Sequence, residues 1–288
     1  MTSPSRPPMG RGPFDVPARR IVVTAGASAA LQLLTTAVVG AGDEILMPDP
    51  SYPCNRHFLR LIEGRARLIE TTPETRYQLN ADLVREHWQP QTRGALVASP
   101  ANPTGEMLSR EELRALADAC REKNGVLLVD EIYHGLTYGE DAVSVLEVAD
   151  DAFVLNSFSK YFGMTGWRIG WLVAPEALVP QIEKLAQNLY ISVTTVSQYA
   201  ALAAFSEEAV AIHEERRAAF AARRVARIRL HGQHHRQRQT CGPVRRHERQ
   251  VRRQREWLLH HAGWPGRKGR ERPHLVRRHH LLRHQPPD

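Results

Sequence analysis

Residues 126–129 read Val-Leu-Leu-Val, apolar without alternation, and run directly into a carboxylate, Asp130. A strand with one wet face alternates apolar and polar side chains. One that does not alternate is buried on both faces, the condition of a parallel sheet covered by helices on either side. Other short apolar runs repeat the theme: Ile21-Val22-Val23-Thr24, Glu44-Ile45-Leu46-Met47, Gly94-Ala95-Leu96-Val97-Ala98, Ala152-Phe153-Val154-Leu155 and Ile169-Gly170-Trp171-Leu172-Val173. Helical stretches lie between them. One spans residues 29–39 and is stopped by Gly40 and Gly42. Another is opened by the capping box Ser109-Arg110-Glu111-Glu112 and stopped by Asn124-Gly125. Strands alternating with helices predict an α/β fold, a mostly parallel sheet flanked by helices. From Ser197 to about Arg224 the pattern is helical and increasingly charged.

Charge divides the chain in two. Residues 227–288 hold 17 of the 39 Lys+Arg, 10 of the 14 His and 4 of the 31 Asp+Glu, a net +13, so residues 1–226 are at −5. The overall +8 therefore belongs to the tail. That tail lacks aromatic interleaving, zinc-finger spacing or heptads, which leaves only nonspecific attraction to nucleic-acid phosphates. It reads as a disordered basic segment, and its composition is that of a high-GC gene read in a shifted frame. Residues 1–18, rich in Pro, Gly, Ser and Arg, read as a disordered leader. Residues 19–196 are expected to form the main domain and 197–226 a connector helix. No apolar run approaches the roughly 20 residues of a membrane helix, and no secretory signal opens the sequence. Three scattered cysteines form no disulfide framework, so a cytoplasmic location is expected. His57, His87, His134 and His213 have no metal-ligand spacing, and no metal is assigned.

The chemistry gathers at the carboxyl ends of the predicted strands, where open α/β sheets place their ligands. Residues 156–171 read NSFSKYFGMTGWRIGW. Lys160 sits among small hydroxyl and glycine residues with Arg168 eight positions on, a setting suited to a lysine that forms a Schiff base with a phosphorylated aldehyde cofactor. Asp130, after a buried strand, needs a partner; a protonated pyridine nitrogen would serve, and so would a helix N-cap role. Ala27 and Ser28 follow Gly26 at a helix start, where free N–H groups attract an anion. Ser157 and Ser159 precede the lysine. Arg168 offers a guanidinium fork to phosphate oxygens or, more blandly, a surface salt bridge. Asn102 in Asn-Pro-Thr-Gly and Tyr52 between Pro50 and Pro53 are equally at home in ordinary turns.

Taken together, the lysine segment, Asp130-x-x-Tyr133 and the Asn102 turn resemble the class I/II aminotransferases of the aspartate aminotransferase superfamily, enzymes dependent on pyridoxal 5′-phosphate. The resemblance covers roughly residues 19–226. It implies the fold type I large domain, with the small domain missing or incomplete and the N-terminus truncated. It implies that Lys160 carries the cofactor and moves protons. It also implies that Asp130 pairs with the pyridinium, that Tyr133 and Asn102 bond the phenolic oxygen O3′, that Tyr52 stacks on the ring, and that Ala27, Ser28, Ser157 and Arg168 hold the phosphate. An amino acid and a 2-oxo acid are the implied substrates and a homodimer the implied assembly. An inactive relative, or a lyase on the same fold, is the competing expectation. No residue of 227–288 matches the family's carboxylate-binding arginine.

Overall fold

The computed structural model describes residues 16–237, with side chains to residue 225. The leader read over residues 1–18 and the tail read over 227–288 lie mostly outside the described residues; where the tail is described, residues 227–237 continue a helix rather than the disordered segment expected. Seven strands form one sheet: β1 (Ile21–Thr24), β2 (Glu44–Asp49), β3 (Arg65–Glu70), β4 (Thr92–Ala98), β5 (Val126–Asp130), β6 (Phe153–Ser157) and β7 (Gly170–Val173), in the spatial order β1-β7-β6-β5-β4-β2-β3. Strands β2 to β6 pair parallel with one another; β7 is antiparallel to both β6 and β1. The sheet is thus mostly parallel, with one reversed strand inside it.

Helices cover both faces: α1 (Ala27–Val38), α2 (Asn55–Leu61), α3 (Ala81–His87), α4 (Arg110–Arg121) and α5 (Val179–Tyr190), followed by α6 (Thr195–Ala203) and α7 (Glu207–Gln237). The apolar run of β5 is explained by this layering. Leu127 and Val129 enter a core with Leu113, Leu116 and Cys120 of α4 and Val84 of α3. Leu128 enters the opposite core, with Leu33 and Leu34 of α1 and Ile182 of α5. Full burial of such a side chain is worth about 1.5–3 kcal/mol, and alternate residues supply it to both faces. The capping box forms as expected: Glu112 N–H donates to Ser109 Oγ at 3.2 Å and Ser109 N–H to Glu112 Oε2 at 2.7 Å.

Where the sequence suggests one helix from residue 197 to about 224, the chain makes two. Ser206 interrupts it: its carbonyl accepts from Val210 N–H at 2.9 Å and its hydroxyl from Ala209 N–H at 3.2 Å, a fresh N-cap followed by Glu207 and Glu208. The break lets Phe205 and His213 pack edge-on to Phe162, joining a third cluster built from Phe158, Tyr161, Met164 and Ile169. This cluster supports the segment that carries Lys160.

Candidate functional site

Strand direction explains why distant segments meet. β2, β4, β5 and β6 run parallel, so the turns after Asp49, Ala98, Asp130 and Ser157 share one edge. β1, antiparallel to β7, ends at the same edge and delivers the start of α1. The reversed β7 begins there and brings Arg168 back. One cavity of about 210 Å³ lies on this edge, and Ala27, Ser28, Tyr52, Asn102, Asp130, Tyr133, Ser157, Lys160 and Arg168 all line it. Ser159, Asn55 and Thr165 line it too. The last two were not singled out from the sequence. The signal for Asn55 is a polar residue at a helix start that ends up buried; Thr165 was within the informative segment but had no pattern of its own.

One end of the cavity is built for an anion. The first helical bond of α1 is Ala30 N–H to Gly26 O at 3.1 Å, so the N–H groups of residues 27–29 have no partner within the helix. Ser157 Oγ lies 3.1 Å from Ile169 O and 2.9 Å from Ser159 Oγ. Ser157 is buried, its single proton shared between these two acceptors, while the half-buried Ser159 hydroxyl is the freer donor. Arg168 Nη1 donates to Thr165 O at 2.8 Å and lies 3.4 Å from Ser159 Oγ. No carboxylate among the described residues pairs with Arg168, so the salt-bridge reading is not the one seen. Its remaining N–H groups are free for phosphate-like oxygens.

The other end carries an acid, an amine and two hydrogen-bonding side chains. Asp130 Oδ1 accepts the Ile132 N–H at 3.0 Å, a local turn contact rather than a helix cap. The cavity walls keep bulk water from the carboxylate, and this burial pushes its pKa up to about 6. Such an anion is in need of a cation. Asn102 Nδ2 lies 3.4 Å from the Tyr133 hydroxyl, and Lys160 Nζ stands 5.3 Å from the Tyr133 ring centre. Lys160 lines the cavity with its side chain largely open to water. Tyr52 is 43% exposed at the rim.

This sheet, with its ligand edge furnished in this way, defines a class of protein, and comparison with known proteins agrees. Residues 14–237 match the family model described as aminotransferase class I and II. The valine–pyruvate aminotransferase of Mycobacterium tuberculosis is 41% identical over 206 residues, 71% of this chain and 53% of that protein. The aspartate aminotransferase of Geobacillus stearothermophilus is 31% identical over 210 residues, again 71% of this chain and 53% of that protein. A crystal structure of an aminotransferase from M. tuberculosis superimposes with a TM-score of 0.72 at 38% identity, covering 75% of this chain and 56% of that one. The chain belongs to the class I and II aminotransferase family. It spans about half the length of the curated relatives it matches.

Proposed function

We propose that this chain binds pyridoxal 5′-phosphate through Lys160 and serves amino-group transfer between an amino acid and a 2-oxo acid. The observation that carries the reading is the convergence, in one cavity, of a buried carboxylate, a lysine amine and an arginine without a carboxylate partner beside free helix N–H groups. The residues fit the group. Ala27, Ser28, Ser159 and Arg168 would take the phosphate, with Ser157 ordering Ser159 behind them. Asp130 would accept the pyridinium N–H, and Asn102 and Tyr133 would donate to O3′. Tyr52 would lie against the ring, a contact worth roughly 0.5–1.5 kcal/mol beyond burial.

When bound, the cofactor supplies an aldehyde that condenses with an amine and a ring that withdraws electrons. The chain's own contribution is positional and protic. Asp130 would keep the ring nitrogen protonated, and its burial would strengthen that ion pair. Lys160 Nζ would hold the cofactor's aldehyde and, as a free amine, would serve as the base that takes the proton from the substrate's α-carbon and the acid that gives it back. The cofactor-binding domain of this reading is residues 19–196, with 197–226 as its connector. A homodimer is part of the proposal, supported by the exposure of the large apolar side chains Ile191, Val196, Tyr199 and Leu202. A cytoplasmic setting accords with the free thiols of Cys54 and Cys120. No helix among the described residues is long and apolar enough to cross a membrane.

A second reading is cofactor binding without efficient turnover. One experiment separates the two. Titration of the full chain with pyridoxal phosphate is expected to give a visible absorbance band that Lys160→Ala abolishes. Turnover with valine and pyruvate, or with aspartate and 2-oxoglutarate, then decides for the first reading; a band without turnover decides for the second. The absence of any band at saturating cofactor overturns both.

A further inference from the structure

A buried polar cluster lies just behind the cavity wall. Glu131, 3% exposed, directly follows Asp130 but does not line the cavity. Its Oε1 accepts from Val145 N–H at 2.8 Å and from Ser144 Oγ at 3.0 Å. Its Oε2 lies 3.5 Å from His134 Nδ1. On the far side of the imidazole, Nε2 lies 3.0 Å from the carbonyl oxygen of Ser99. A carbonyl can only accept, so Nε2 must carry a hydrogen. In a neutral imidazole Nδ1 is then a bare lone pair, and an ionised carboxylate facing it would set two acceptors against each other in a buried site. At 3.5 Å the contact is longer than an ordinary hydrogen bond, and a proton on the oxygen or on the nitrogen would turn it from repulsive to attractive.

We infer that Glu131 and His134 share a single proton, and that together they act as positioning residues for the Ser99 to Asn102 turn. Ser99 is fully buried and is held from three sides. Its N–H donates to Asp130 O at 3.1 Å, its hydroxyl accepts from Leu108 N–H at 3.0 Å, and its carbonyl accepts from His134 Nε2–H at 3.0 Å. Three residues on, Asn102 meets Tyr133 at 3.4 Å, and Tyr133 adjoins His134 in the chain. The pair therefore ties the turn carrying one O3′ donor to the turn carrying the other. Its value to a cofactor rests on the function proposed above; the shared proton does not.

The electrostatics agree with the geometry. Burial raises Glu131 to about 8 and lowers His134 to about 4, so at neutral pH the proton rests on the carboxyl and the pair is uncharged. The charged groups that bear on the pair are Asp130 on the same strand and Glu147 from the turn beyond Ser144. Glu147 is itself paired with Arg110, and Lys160 acts on Asp130 from across the cavity. A neutral Glu131 leaves Asp130 free to answer a cation in the cavity without a second carboxylate charge at its back.

The test uses the cofactor-free full chain labelled with 15N-histidine. The ring of His134 is expected to show a protonated Nε2 and a hydrogen-bonded Nδ1, without a free titration near the ordinary histidine pKa of about 6.5. Two protonated ring nitrogens would also uphold the shared proton, placing it on the ring. An ordinary titration, or the tautomer with a bare Nε2, overturns it. For the positioning role, His134→Gln keeps a donor toward Ser99 O and Glu131→Gln keeps a donor toward Nδ1. Both are expected to protect the amides of Ser99 and Ala101 from exchange as the parent does. His134→Phe is expected to speed that exchange about tenfold, the factor that corresponds to one lost hydrogen bond of about 1.4 kcal/mol, and to weaken cofactor binding to a similar extent. Unchanged exchange in a folded His134→Phe overturns the role. If the parent binds no cofactor, the proposed function fails while the exchange measurement still decides this one.

Discussion

The guanidinium of Arg168 lies across Gly26, so close that a Cβ built on the glycine would stand 2.5 Å from Nη2. Gly26 also has φ 87°, a conformation that side chains rarely adopt. The glycine both starts α1 and makes room for the cation that closes the anion end of the cavity. Gly26→Ala is expected to displace Arg168 and to cost roughly 1–2 kcal/mol of backbone strain. A titration with pyridoxal phosphate should show affinity reduced by at least about tenfold. Parental affinity and stability would mean that Arg168 does not depend on this contact.

Asp130 gives a prediction with a definite sign. Its folded pKa, about 6, lies above the ordinary 3.8. The folded state therefore favours the protonated acid, and the associated stability, present below pH 4, is lost as the pH rises through 6. Asp130→Asn removes this penalty and keeps an oxygen for the Ile132 N–H. Without cofactor, the variant is expected to be more stable than the parent above pH 6, by on the order of 1–3 kcal/mol, and equal to it near pH 4. Pyridoxal phosphate should reverse the ranking at neutral pH, because an amide cannot hold the pyridinium proton. Equal denaturation midpoints at pH 8 without cofactor would show that the carboxylate pays no burial cost.

Lys160 is expected to be the point of cofactor attachment. Borohydride reduction of the cofactor-loaded chain, followed by peptide mapping, should place the adduct on the peptide containing Lys160. An adduct on Lys123 or Lys184 instead would remove the basis of the assignment.

The Tyr161 hydroxyl donates to Glu214 Oε1 at 2.7 Å, and Arg217 binds the other carboxylate oxygen at 2.8 Å and Thr137 O at 3.2 Å. These bonds fasten α7 to the residue next to Lys160. Tyr161→Phe is expected to cost about 0.5–1.5 kcal/mol and to speed amide exchange in α7 around Glu214. Unaltered exchange there would show that aromatic packing with Phe162 and His213 suffices to hold the helix.

Much of this protein was written in local pattern. The unalternated run of β5 announced two apolar faces because each residue's fate depends on its immediate neighbours, and the capping box at Ser109 formed for the same reason. Asp130, Tyr133, Lys160 and Arg168 stood out in the sequence by their resemblance to a family pattern, and they line one cavity. Other elements left weaker traces. The edge strand β3 carries three charged residues among its six and buries only Ile69, and α5 has a proline in its first turn. Ser206, with two glutamates after it, was a readable helix start inside what looked like a continuous helix.

What only the tertiary structure decided was direction and convergence. Nothing within residues 170–173 says that β7 runs against its neighbours; that is settled by pairing with β6 and β1, partners far away in the chain. That reversal returns Arg168 to the edge where Gly26 ends its turn. The partnership of His134 with Ser99 and Glu131 is equally invisible to spacing. It arises because β4 and β5 lie side by side in register, Ala98 against Asp130, and their loops must satisfy buried polar groups with one another. Local periodicity selects helices and strands; the pairing of strands distant in sequence selects which loops meet, and the site exists only where they do.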